Sequence, residues 1–488
     1  MAIGEVTRAR LLIGGEWTDA RSGREYEQLF PYTGDQVGSA PAGGREDARA
    51  AVDAAQEAFA EWSRSAPGAR RAILSKAADL MMERQTEIAQ IVTEETGGVF
   101  GWGMFNVELA AGMLREAAAQ AYGLVGEVIP SDVPGKLAMG VRQPAGVVVG
   151  IAPWNAPVIL ATRAVATPLA YANTVVLKAS EICPRTHAEV ARALVDAGLP
   201  SGAINLITNA PADAGDVVDE LIAHPATRRI NFTGSTKVGR IVAEKAGRHL
   251  KRVLLELGGK APMIVLRDAD LDRAAAAASF GAFFHQGQIC MSTERIVVDR
   301  AVSEQLADKL AQRASALPVG DPREQTTAIG PLINADAVAR VSSLVEDAVS
   351  KGATALSGGE ADGPCFPPTV LAGVTSEMRV YAEESFGPLL AVVAVDGPDE
   401  AVQVANDTEY GLAAAVFSEN VSAALELAQR IESGICHIND TTVHDEPQMP
   451  FGGVKASGFG RFGGRAALEE FTELRWITVQ ELPRQYPI

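Results

Sequence analysis

Cys290 is the sequence's candidate nucleophile. It sits in Phe283-Phe284-His285-Gln286-Gly287-Gln288-Ile289-Cys290-Met291, where an apolar helical stretch gives way to a polar turn broken by glycine. A thiol in such a turn can attack an electrophile once ionised, although a lone cysteine also reads as a small buried hydrophobe. His285 invites a Cys–His dyad, but five residues across a glycine turn do not bring the two together and no orienting Asn or Asp lies nearby, so no dyad is expected. Glu256 closes the apolar run Val253-Leu254-Leu255 and precedes Gly258-Gly259-Lys260. A carboxylate at the carboxyl edge of a strand, partly buried, has its pKa raised and suits a general base, or else it is a solvated strand end. Gly234-Ser235-Thr236-Lys237-Val238-Gly239 follows the β-branched run Arg229 to Phe232 and opens a helix. Backbone N–H groups there, with the Ser235 hydroxyl, could hold a pyrophosphate, and Arg240-Ile241 stands where a nucleoside-triphosphate loop needs Lys-Ser/Thr. The alternative is an ordinary strand-to-helix turn. Gly458-Phe459-Gly460-Arg461-Phe462-Gly463 satisfies G-x-G-x-x-G, yet no strand precedes it and little chain follows, so it reads as a glycine-rich loop. The six histidines have no metal-ligand spacing, and no metal is expected.

These residues need a scaffold, and the hydrophobic pattern supplies one. Residues 45 to 122 are Ala-rich with helical periodicity and read as a run of helices. From Val141 the pattern alternates short β-branched runs (Gly146 to Ile151, Thr174 to Leu177, Ala203 to Ile207, Arg229 to Phe232, Val253 to Leu255) with helix-length segments such as Thr186 to Ala197 and Thr236 to Gly247. That βαβ rhythm predicts a doubly wound parallel sheet. A second rhythm follows Gly258: helix Leu271 to Phe284, strand Arg295 to Val298, helices Ser303 to Ser315 and Ala335 to Ser350, strands Leu389 to Val395 and Ala413 to Phe417. Trp476 to Gln480 and Leu137 to Gln143 alternate like exposed strands of the kind that pair across subunits. Ser357 to Pro368 reads as a long surface loop.

Composition narrows the function. The 488 residues carry 43 Lys plus Arg against 61 Asp plus Glu, a net charge of −18, which disfavours a nucleic-acid partner. Four scattered cysteines, Cys183, Cys290, Cys365 and Cys436, argue against a disulfide framework and for a reducing compartment. Met1 to Arg10 has no apolar core of a secretory leader, and the uncharged stretches Gln143 to Thr162 and Ala274 to Thr293 are broken by Pro, Asn or small residues, so a cytoplasmic enzyme away from membranes is expected.

Six motifs in order, Pro153-Trp154-Asn155, Lys178-Ala179-Ser180-Glu181, Phe232-Thr233-Gly234-Ser235 to Gly239, Glu256-Leu257-Gly258-Gly259-Lys260, Gly287-Gln288-Ile289-Cys290 and Glu383-Glu384-Ser385-Phe386-Gly387-Pro388, resemble the aldehyde dehydrogenase superfamily over about Leu12 to Gln480. The resemblance implies an α/β fold of two doubly wound Rossmann-like lobes plus a β-arm oligomerisation element. It places a NAD-binding domain in 1–122 and 142–255, oligomerisation arms in 123–141 and 472–488, and a catalytic domain in 256–471, in a homodimer or homotetramer. It implies that Cys290 attacks an aldehyde to form a thiohemiacetal, that Asn155 and the Cys290 backbone N–H hold the oxyanion, and that Glu256 activates the water that hydrolyses the thioester. NAD is implied as cofactor, with NADP possible: Lys178 and Glu181 at the adenosine ribose, Gly234, Ser235 and Gly239 near the pyrophosphate, Glu384 and Phe386 at the nicotinamide half, Trp154 and Leu257 beside it. Glu181 favours NAD because a carboxylate repels a 2′-phosphate.

The segments around Cys290 and Val443 to Lys455 resemble the branch that oxidises vanillin, salicylaldehyde and benzaldehyde. An apolar wall of Trp154, Phe284, Ile289, Met291 and Phe451 is implied, with Ala156 leaving room for a ring. Arg163 departs from that wall. It could meet a ring hydroxyl, anchor a carboxylate as in a semialdehyde dehydrogenase, or be salt-bridged elsewhere. A catalytically silent NAD-binding protein and a cofactor-free thiol esterase are the readings outside this class; intact Cys290, Glu256 and Asn155 speak against the first, and dependence on NAD separates the second.

Overall fold

The computed structural model describes residues 7–488, so the first six residues of the amino-terminal segment read above lie outside the described residues. Short runs of β-branched residues become strands buried on both faces. Val147–Ile151 and Thr174–Lys178 are buried at every position, as strands sandwiched between helices must be. With Ile204–Ile207, Thr227–Thr233 and Arg252–Glu256 they form a parallel core. Leu11–Ile13 and Glu16–Thr18 extend it on one side, and Gly458–Phe459 on the other, giving eight strands.

That last strand corrects the expectation of a glycine-rich loop: Gly458 and Phe459 pair antiparallel with Glu256 and Leu255. The segment escapes notice because two residues are too short for an alternation signal. One face of the sheet is covered by Arg45–Trp62, whose Ala48, Ala51, Val52 and Ala55 pack on Val147, Val149 and Ile207. The other is covered by Phe100–Gln120, Pro157–Ala170 and Pro184–Asp196.

A seven-stranded sheet carries the second rhythm, in the order Thr354–Ser357, Thr369–Ala372, Leu389–Val395, Thr293–Asp299, Ala261–Val265, Ala413–Phe417, Ile435–Ile438. Only its Thr354–Ser357 edge is antiparallel. Helices Leu271–Phe283 and Ser303–Ser315 pack with one face of it, and Ala335–Ser350 and Pro398–Asn406 with the other. Within Ser357 to Pro368, read as a surface loop, Cys365 and Phe366 are buried.

The two exposed strands pair with each other within the chain: Lys136–Pro144 runs antiparallel to Thr472–Gln480 along nine residues, flanked by Glu127–Ile129. Leu474, Trp476 and Val479 stay exposed on this ribbon. Among the described residues no helix is long and apolar enough to cross a membrane.

Candidate active site

Both sheets deliver their strand ends to one place. Glu256 is the last residue of Arg252–Glu256 and is 0% exposed. Cys290 comes from the turn after Leu271–Phe283, where His285, Gln286 and Gly287 all have positive φ, 48°, 56° and 69°. Such a left-handed run is costly for His and Gln and persists only where the surroundings impose it. At Gly287 a β-carbon would come within 2.1 Å of the Gly387 carbonyl oxygen, so this position admits glycine alone.

Asn155 precedes the helix Pro157–Ala170, and its side-chain amide donates to the Gln288 carbonyl at 2.9 Å. One N–H is thereby spent on holding the cysteine turn and the other remains for a ligand. The Asn155 carbonyl accepts from the Trp102 indole at 3.1 Å. His285 stacks on that indole, centroids 4.5 Å apart and planes 13° apart. Burial lowers its pKa to about 3, so the imidazole is neutral, and it is absent from the walls of both cavities that Cys290 lines.

The electrostatics of the pair are those of a proton acceptor beside a resting thiol. Burial pushes Glu256 up to about 6, offset in part by Arg163, the Cys290 thiol and the Thr233 hydroxyl, and reinforced by Asp445. Neither carboxylate oxygen has a partner in full hydrogen-bond geometry. Burial, then the Glu256 charge, push the Cys290 thiol well above its usual value, so the thiol is protonated with its base at hand.

Two cavities meet at Cys290. The first, about 420 Å³, is lined by Trp154, Asn155, Gly234, Ser235, Glu256, Leu257, Glu384 and Phe386. Phe386, held at φ 45°, stands edge-on to Trp154 with centroids 5.8 Å apart. Glu384 accepts from the Gly259 N–H at 2.9 Å, and burial with the nearby Glu294 raises its pKa to about 7. Glu294, paired with buried Lys260 at 2.5 Å, also accepts the Ser385 and Phe386 N–H groups and so fixes the turn that presents Glu384 and Phe386.

Ser235 caps the helix Thr236–Arg248, accepting from the Val238 N–H at 3.4 Å. A β-carbon at Gly239 would lie 2.4 Å from Leu257 Cδ2, so this glycine lets the helix close on Leu257. Lys178 and Glu181 form an ion pair at the carboxyl end of Thr174–Lys178, outside the walls of this cavity. Burial raises Glu181, but Lys178 and Asn209 outweigh it and hold the carboxyl below its usual range. A crevice with the Glu384 carboxylate for ribose hydroxyls, the helix start at Ser235 for phosphate and the Trp154 and Phe386 rings in the same wall as the thiol fits a nicotinamide dinucleotide.

The second cavity, about 540 Å³, is lined by Trp102, Phe105, Leu109, Ala156, Ile159, Phe280, Phe284, Ile289, Met291, Val443 and Phe451, with Arg163, Asp440, His444 and Asp445 at its polar side. Of the expected wall residues, Trp154 is the exception: it faces the first cavity, because its ring packs on Phe386. Trp102, Phe105 and Leu109 were not anticipated; their i, i+3, i+7 spacing on Phe100–Gln120 is indistinguishable from core packing. Arg163 forms an ion pair with Asp445, both side chains nearly buried, and its guanidinium lies over the Phe451 ring at 4.1 Å. Of the readings open for Arg163, the salt-bridged one is what the structure shows: Asp445, 282 residues away in the chain, pairs with it.

Residues 17–477 match the model of the aldehyde dehydrogenase family. Vanillin dehydrogenase of Pseudomonas fluorescens is 56% identical over 478 residues, 98% of this chain and 99% of its own. A benzaldehyde dehydrogenase (NAD+) of Pseudomonas putida is 42% identical over 478 residues, 98% of this chain and 97% of its own. The crystal structure of a salicylaldehyde dehydrogenase from Pseudomonas putida G7 complexed with salicylaldehyde has a TM-score of 0.97 at 43% identity, covering 99% of this chain and 100% of that one.

Proposed function

The chain belongs to the aldehyde dehydrogenase family, an enzyme family that oxidises aldehydes with NAD or NADP, and we propose that this member oxidises aromatic aldehydes of the vanillin, salicylaldehyde and benzaldehyde type to their acids. The observation that carries the proposal is the 540 Å³ cavity walled by Trp102, Phe105, Phe280, Phe284, Ile289 and Phe451 that opens on Cys290. Its size and aromatic lining suit a substituted ring. The named relatives support the same substrate class.

The positions of the residues support the following roles. Glu256 accepts the Cys290 proton as sulfur bonds to the aldehyde carbon, giving a thiohemiacetal. The free Asn155 N–H and the Cys290 backbone N–H stabilise the oxyanion, a contribution of about 100-fold per donor in comparable sites. A nicotinamide dinucleotide held in the first cavity would supply the hydride acceptor that turns the thiohemiacetal into a thioester. Glu256, having passed that proton to solvent, takes one from water, whose oxygen adds to the thioester; the carbon–sulfur bond breaks, the carboxylic acid leaves and the Cys290 thiolate recovers the proton from Glu256. Glu384 and Phe386 position the nicotinamide half, Ser235 and Gly234 the pyrophosphate, and Lys178 with Glu181 the adenosine ribose. Glu181 supports NAD over NADP, since its carboxylate repels a 2′-phosphate.

The deciding experiment is steady-state reduction of NAD, with NADP in parallel, on benzaldehyde, vanillin, salicylaldehyde, a long-chain alkanal and succinate semialdehyde. An aromatic aldehyde is expected to have the highest kcat/KM, and Cys290→Ala to abolish turnover. A preference for the semialdehyde overturns the assignment.

The same reading divides the chain into a NAD-binding domain (1–122 and 142–255), a catalytic domain (256–471) and oligomerisation arms (123–141 and 472–488). The exposed Leu474, Trp476 and Val479 on the paired arm strands support a homodimer or homotetramer.

A further inference from the structure

We propose that Asp445 is a specificity-determining residue that excludes carboxylate-bearing aldehydes from the ring cavity by neutralising Arg163. The inference rests on the aromatic-aldehyde reading and names which ring substituents that site rejects. Among the described residues that line the cavity, Arg163 is the one lysine or arginine. It is not free to turn toward a ligand. Asp445 holds it in an ion pair, Phe451 packs on its guanidinium at 4.1 Å, and Phe462 stands 5.8 Å away.

The second oxygen of Asp445, Oδ1, is buried without a partner, so the carboxylate keeps unspent accepting capacity at the cavity's polar side. Asp440 and His444 line the same region, and Arg163 also lies within electrostatic reach of Glu256. An entering carboxylate loses its hydration, finds the guanidinium of the cavity wall already paired, and meets the carboxylates of Asp445 and Asp440 in the same lining. A neutral substituent of the same shape meets none of this repulsion, and one with an N–H or O–H can donate to an acceptor. Selection against the wrong ligand by an internal ion pair costs the correct ligand nothing.

The test compares 3- and 4-formylbenzoate with the corresponding formylbenzamides, equal in shape and different in charge. In the wild-type enzyme the amides are expected to have kcat/KM at least about tenfold higher, carried by KM rather than kcat. In Asp445→Asn the ratio should shrink or invert as Arg163 becomes available. Adding Arg163→Met to Asp445→Asn should cancel the gain for the benzoates, and Asp445→Glu, which keeps the pair, should retain the wild-type ratio. Equal kcat/KM for benzoate and benzamide in the wild type, or an unchanged ratio in a folded Asp445→Asn, overturns the proposal. If Asp445→Asn does not fold, the wild-type and Asp445→Glu ratios decide. Oxidation of neither aromatic series, with turnover of other aldehydes, overturns the aromatic reading itself and this inference with it.

Discussion

At the scale of single residues, the site runs on one carboxyl placed where it is uncomfortable. Glu256 is wholly buried, and its pKa of about 6 stands above the usual 4.5. Turnover should therefore fall as pH drops through about 6, because a protonated Glu256 accepts nothing; a pH profile of kcat checks this. The same shift acts on stability with a definite sign. A raised acid pKa means the folded state binds the proton more tightly than the unfolded chain, so the carboxyl is harmless below pH 4.5 and destabilising once the pH exceeds about 6. Glu256→Gln is expected to raise stability at pH 8 by roughly 2 kcal/mol, with the gain vanishing near pH 4, while turnover is lost because both the deprotonation of Cys290 and the hydrolysis of the thioester lose their base. Thermal unfolding at the two pH values and steady-state turnover measure both halves. Glu256 and Cys290 stood out in the sequence as a strand end and a glycine turn, but each local pattern left a structural reading open, and it was the ordered set of motifs that singled them out. The Arg163–Asp445 pair was not legible, because its partners are 282 residues apart and no spacing rule joins them.

At the scale of elements, the helix Thr236–Arg248 can lie on Leu257 only because Gly239 has no side chain. Gly239→Ala should destabilise by about 1–3 kcal/mol through overpacking, and Leu257→Ala in the same chain should recover much of that loss. Chemical denaturation of the two single variants and the double variant measures the coupling. Elements with a strong period were read to the residue, as with Ser303–Ser315 and Ala335–Ser350, whose apolar faces recur at helical spacing. Ala261–Val265 was missed since Pro262 interrupts an already short run; the structure absorbs it with a register shift between Ala261 and Pro262 against Thr293–Asp299. Helices Pro398–Asn406 and Val421–Ala428 were missed because nine and eight residues give too few turns for the period to stand out.

At the scale of the whole molecule, the ribbon of Lys136–Pro144 and Thr472–Gln480 carries Trp476 76% exposed and Leu474 62% exposed. A face of that kind is expected to be covered by another copy, so Trp476→Asp with Leu474→Asp should reduce the mass in light scattering to that of a smaller assembly, with the folded secondary structure kept. The alternation of apolar and polar residues disclosed both strands, whereas their pairing with each other inside one chain needed the structure. A two-residue strand has a long reach. Gly458–Phe459 completes the sheet edge along Glu256, so the strand that carries the base gains its last neighbour from a segment some two hundred residues further along the chain. Without it the Leu255–Glu256 edge stays open to any other strand, so a variant that cannot form this pairing is expected to be inactive and aggregation-prone together.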